Sequence, residues 1–120
     1  MKKAIITLLI FLPLTAHAFD PWDRTDKVLA GMYLLATATD WRQTVYIAHH
    51  PETTREINPI LNEHPSEANV NQYFMASVAI KLLVAQVLPS KWRKVWLGSM
   101  FVVSGSLATY NASHGIKIEW

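Results

Sequence analysis

The chain contains no cysteine. That excludes a disulfide framework, the usual support of a small exported domain, and any thiolate metal site. It also has no internal repeat and no low-complexity tract, so neither a solenoid nor a disordered linker protein is expected. The catalytic signatures H-E-x-x-H, C-x-x-C and the strand–serine–helix elbow are absent. Nor is there an excess of charge. The formal net charge is +2, with 11 bases against 9 acids. Lys2 and Lys3 supply that surplus, so the chain beyond residue 18 is formally neutral and gives no case for nucleic-acid binding. Without disulfides or metal, a chain this short needs a helix-rich core, an oligomer or lipid to hold it.

The N-terminus is the most informative segment present. A basic start, Met1-Lys2-Lys3, precedes an apolar run from Ala4 to Leu14 and an A-x-A sequence, Ala16-His17-Ala18. These are the three parts of a secretory signal peptide, and the run is short for a membrane span. Cleavage after Ala18 is expected, leaving one domain over residues 19–120. The other reading is an uncleaved N-terminal anchor.

The remainder reads as all-α, a three-helix domain. A helix is expected over about 26–49, capped by Asp23 or Thr25 and ended by Pro51. A polar connection follows, with a short helical turn at 59–63 opened by Asn58-Pro59. The second helix is expected over about 67–88, before Pro89, and the third over about 91–112, stopped at His114-Gly115. The alternating tail Ile116–Trp120 has no strand to pair with and is read as extended. The second and third helices have the length of membrane spans and a tight connection, so an antiparallel membrane hairpin is expected. The positive-inside rule puts the basic turn at Lys91, Arg93 and Lys94 in the cytoplasm, with the 51–67 segment and the C-terminus outside. A cleaved leader puts Phe19 outside as well, so on this reading the first helix is peripheral to the hairpin. Trp22, Trp41, Trp92, Trp96 and Trp120 suit an interfacial belt. The placement expected is the inner membrane facing the periplasm, with a soluble periplasmic bundle as the other choice. The lipid bilayer is the expected partner. Gly98, Gly105, Ala108 and Ala112 form a small-residue stripe for a second copy or another membrane protein.

The candidate polar network is Asp40, Gln43, Thr44, Glu56, Asn58, His64 and Lys81. Asp40, Gln43 and Thr44 share one helix face. Lys81 is the only cation central to an apolar helix, so a buried Asp40–Lys81 pair is expected. His49, His50 and His64 are weak metal candidates because their spacing is poor, and no cofactor is expected. A Ser66–His64–Glu56 triad can be drawn without a supporting motif. Asp40-Trp41-x-Gln43-Thr44, Glu56-x-Asn58-Pro59-Ile60-Leu61-x-x-His64-Pro65 and a lysine-bearing helix at Lys81 resemble a class of small exported or membrane proteins of bacteria and phages. The resemblance implies a three-helix body and no particular activity. Its three-span members need no cleavable leader, which this chain has. Two functions remain: an accessory or structural membrane protein, not an enzyme, or an envelope binding protein or hydrolase. The second would act on a lipid head group or cell-wall component through Asp40, Glu56, His64 and Lys81.

Overall fold

The computed structural model describes residues 19–120, so the expected signal peptide, residues 1–18, lies outside the described residues. Three helices carry the fold: α1 (Arg24–His49), α2 (Glu67–Val87) and α3 (Ser90–Ser113). Local chemistry sets their ends. Asp23 and Asp26 form a reciprocal capping box at the start of α1, each satisfying an otherwise orphaned backbone N–H. Ser66 caps α2 by accepting from the Asn69 N–H at 3.1 Å. At α3 the cap residue is Pro89, with no side-chain cap bond, and Ser90 is the first helical residue. The α3 C-terminus is a Schellman closure. The Gly115 N–H reaches the Ala112 carbonyl at 3.1 Å, and the Ile116 N–H reaches the Asn111 carbonyl at 3.0 Å. Gly115 has φ +76°, a conformation that costs a side-chain-bearing residue about 1–2 kcal/mol.

The segment 59–63 is not a helix. Pro59–Leu61 makes a single hydrogen-bonded turn; Asn58 Oδ1 caps it by taking the Ile60 N–H at 2.9 Å, and Asn62, at φ +68°, leaves the helical region and ends it. The tail beyond Ile116 is extended and packs back on α1. The Glu119 N–H donates to the Arg42 carbonyl, Arg42 Nε returns a bond of 2.6 Å to the Glu119 carbonyl, and the Arg42 guanidinium lies over the Trp120 ring.

α1 and α3 run parallel, since Asp26 meets Arg93 at one end and Asp40 meets Asn111 farther along. α2 runs antiparallel to both. Trp41 bonds Asn71 and Trp22 bonds Gln86, so the start of α1 lies beside the end of α2. The main seam is between α1 and α3, with a smaller one between α1 and α2. α2 and α3 form an antiparallel pair whose arms are held together mainly by α1. Within the bundle α1 is central and buries more residues than either other helix. Two small apolar clusters fill the seams. Val45, Leu61, Val70 and Phe74 pack near the 51–66 connection. Ala30, Ala85 and Leu97 pack near the α2–α3 turn. Ser90 N–H donates to Asp20 Oδ2 at 2.9 Å, so residues 19–23 and the basic turn sit at the same end of the bundle.

Candidate functional site

Polar side chains occupy much of the interior. Asp26, Thr37, Asp40, Gln43, Thr44, Glu56, Arg93, Ser104 and Asn111 are all buried. Asp26 and Arg93 belong to one polar group and Asp40, Gln43, Thr44 and Asn111 to a second, while a third, of more exposed side chains, ties the far end.

The first lies at the basic-turn end. Arg93 is fully buried, and its guanidinium is shared among five acceptors. Nε donates to the Ala85 carbonyl at 2.7 Å. Nη2 donates to the Leu88 and Gln86 carbonyls at 3.1 and 3.3 Å. Nη1 donates to the Pro21 carbonyl at 3.4 Å and to Asp26 Oδ2 at 3.3 Å. The C-terminus of α2 has no basic residue in its own last turn; Arg93 supplies that charge from α3, at the negative end of the helix dipole. Trp22 covers the guanidinium face. Lys94 bridges Asp23 at 2.7 Å and Asp26 at 3.0 Å. The hydrogen bond from Lys94 is the main reason the Asp23 carboxyl is held below its ordinary value, and the Asp23 bond in turn raises Lys94.

The second group lies across the α1–α3 seam. Asn111 Nδ2 donates to Asp40 Oδ1 at 3.1 Å and to Gln43 Oε1 at 3.2 Å. Gln43 Nε2 donates to the Ala108 carbonyl at 3.0 Å. The Thr44 hydroxyl donates back to the Asp40 carbonyl. Asp40, Gln43 and Thr44 thus gather on one face as expected, but the partner is Asn111. The expected Asp40–Lys81 pair does not form. Among the described residues Lys81 makes no ion pair, and its backbone carbonyl accepts from Trp96 Nε1. Residue spacing could not foresee this, because α3 rather than α2 faces Asp40. One buried atom has no partner among the described residues, the Tyr33 hydroxyl.

The third group ties the far end. His49 contacts Glu67 through Nε2 at 2.8 Å and Glu119 through Nδ1. The bond to Glu67, followed by that to Glu119, raises the His49 pKa above its ordinary value of 6.5. The histidine expected as a weak metal ligand is held here by two carboxylates. His50 Nδ1 donates to the Tyr46 carbonyl and the ring stacks on the Tyr46 ring. His64 is exposed. Among the described residues no three His, Asp or Glu side chains gather as a metal site.

Glu56 and Asn58 shape the connection. Glu56 Oε1 accepts the N–H groups of Ile57 and Asn58 at 2.9 and 3.1 Å. The Glu56 N–H donates to the Glu63 carbonyl at 2.8 Å, closing the loop. Among the described residues neither His64 nor Lys81 is hydrogen-bonded or ion-paired to Asp40. No protein-family model, curated protein or solved structure matches the chain.

Proposed function

We propose that this chain is a small membrane-embedded accessory protein that crosses the bilayer three times. The observation that carries the reading is the inversion of polarity. Buried charges and amides line the seams, while Met75, Ile80, Leu83 and Val87 of α2 and Val95, Val102 and Val103 of α3 face outward, as do Val28, Met32, Leu34 and Leu35 of α1. α2 is long and apolar enough to cross a membrane, yet only 17% of its most apolar window is buried. The core helix of a water-soluble bundle would be mostly buried; an outward apolar face is what lipid favours.

Heights agree across the bundle. Between Val28 and Ala48 α1 carries Asp40, buried, and Arg42, half-buried with its Nε on the Glu119 carbonyl, and between Val95 and Ser113 α3 carries no charge. These stretches rise about 31 and 28 Å, against a hydrocarbon core of about 30 Å. Trp92 is exposed at one level and Tyr110 and Trp120 at the other, suiting two interfacial belts. Lys81 alone breaks the uncharged stretch of α2. Among the described residues it makes no ion pair, which supports a role in meeting a membrane protein that presents an acid at that depth.

On this three-span reading the topology differs from that of a hairpin with a peripheral first helix. Residues 19–23 share an end with the basic turn, so a cleaved leader would deliver both outside, with residues 50–66 inside. The positive-inside rule favours the reverse. We favour the leader, because Arg93 and Lys94 are already engaged by Asp26 and Asp23. Single-cysteine labelling with an impermeant reagent tests both points. Lys91→Cys should label in spheroplasts and Thr53→Cys should not. The opposite pattern means an uncleaved leader. Labelling of both, with release by carbonate, would sink the embedded reading.

Self-association through α3 is the second part of the proposal. Gly98 and Gly105 have nothing within 4 Å of a Cβ built on them, so the monomer does not need them to be glycine. Gly98→Leu should leave folding intact and reduce crosslinked dimer in membranes. Unchanged dimer would remove this stripe from the interface.

A further inference from the structure

We infer that the basic-turn end of the bundle is a docking surface for the head groups of anionic phospholipids, engaged by Arg24, Lys27 and Lys91. Five bases gather at this end, Arg24, Lys27, Lys91, Arg93 and Lys94, against three acids, Asp20, Asp23 and Asp26. All three acids are committed within the fold. Asp26 meets Arg93 and Lys94, and Asp23 meets Lys94. Asp20 Oδ2 takes the Ser90 N–H. Arg24, Lys27 and Lys91 are exposed and make no ion pair among the described residues.

Their positions are unfavourable for the helices that carry them. Arg24 is the first and Lys27 the fourth residue of α1, and Lys91 is the second residue of α3. The first turn of a helix is the positive end of its dipole, where acids are favoured and bases are not. α3 has no acid in its first turn. Arg93 differs, because it faces the negative end of α2 and is fully satisfied there. Three bases set against the dipole, with no acid of their own chain to meet, point to a negative charge supplied from outside.

The surroundings fit a bilayer interface rather than a small soluble anion. Lys27 lies next to Val28 and Lys91 one turn before Val95, both exposed apolar residues. Trp92 is exposed between them in height, and the Lys91 ammonium lies 6.0 Å from the centre of its ring. Bases beside exposed aromatic and branched residues can bury their methylenes in the interface and raise their charges to the phosphates. The far end carries the opposite balance. Exposed Glu52, Glu63 and Glu67 outnumber exposed Arg55 and Lys117, so an anionic leaflet finds no comparable attraction there.

The depth of this contact rests on the embedded reading, but the charge pattern does not. The test therefore has two arms. In the first, the full chain carries one fluorescent label, on Thr25→Cys at this end or on Thr53→Cys at the other. It is reconstituted in phosphatidylcholine vesicles holding a small share of phosphatidylglycerol or phosphatidylcholine with a spin label high on the acyl chain. The label on Thr25→Cys should be quenched by phosphatidylglycerol with about fivefold preference, the attraction of one base to one anionic head group. The label on Thr53→Cys should show no preference. The preference should fade in about 1 M salt. Combining Arg24→Gln, Lys27→Gln and Lys91→Gln should abolish it while leaving the melting temperature unchanged or raised, since each base opposes a helix dipole. Equal quenching by the two lipids at Thr25→Cys, or a preference that survives the triple substitution, would overturn the proposal. In the second arm, unlabelled chain is floated with vesicles of either lipid. If neither label in the first arm is quenched and carbonate releases the chain, the embedded reading fails. Flotation of the wild type with phosphatidylglycerol vesicles, lost in the triple variant, would then keep the docking surface. Flotation with neither lipid would remove it.

Discussion

Replacing Arg93 is the sharpest test of how this bundle is held. Its side chain is fully buried and reaches four main-chain carbonyls and the Asp26 carboxylate. Three of those carbonyls belong to the last turn of α2 and its cap, which have no other basic side chain to satisfy them. Arg93→Met keeps the aliphatic volume and removes every donor. Leaving a buried charge without one partner costs about 3–5 kcal/mol, and each abandoned carbonyl costs about 1–3 kcal/mol where water cannot replace the bond. These terms overlap, because the acceptors share one donor group and a relaxed turn can admit water. Asp26 also keeps Lys94. The loss expected is therefore about 3–5 kcal/mol rather than the sum. Arg93→Lys should recover little, because one ammonium cannot reach acceptors spread over α1, α2 and their flanks. The assay is reversible unfolding of the purified chain in mixed micelles, followed by far-ultraviolet circular dichroism, with quenching of Trp22 as a local probe. A loss below about 1 kcal/mol for Arg93→Met, typical of a surface pair, would refute the reasoning. So would wild-type stability of Arg93→Lys.

Four further outcomes follow from the same geometry. Asp40→Leu and Lys81→Leu should be additive because the two side chains do not pair. Asp40→Leu with Asn111→Leu should instead fall short of the sum of the singles by about 1–2 kcal/mol in a double-mutant cycle; additivity there would remove the Asp40–Asn111 bond. The His49 strap should weaken as pH rises. His49 is raised by Glu67 and Glu119, so its contribution is complete below its ordinary value of 6.5 and is lost as pH climbs through the higher folded value. Trp120 emission should report release of the tail in that window, and His49→Gln should abolish the change. Gly115→Ala should cost about 1 kcal/mol by forcing a side chain into a left-handed backbone; an unchanged unfolding midpoint would discount the Schellman closure.

The helices themselves are legible in the sequence because their causes are local. Asp23 with Asp26, Ser66 before Glu67, Pro51, Pro89 and Gly115 each act within four residues, so three helices and most of their ends can be read directly. The face shared by Asp40, Gln43 and Thr44 is legible for the same reason, since helical periodicity fixes it. The partners of the polar groups are not. Asp26 reads as a first-turn acid and Arg93 as a loop cation, yet they meet across 67 positions. Asn111 is one amide in an uncharged run, and nothing near it signals that it would take the place assigned to Lys81. Those pairings depend on α1 lying parallel to α3 and between the arms of the α2–α3 pair. That arrangement is decided by which helix faces can approach closely while satisfying their buried polar groups, a property of the whole packed set and not of any one segment.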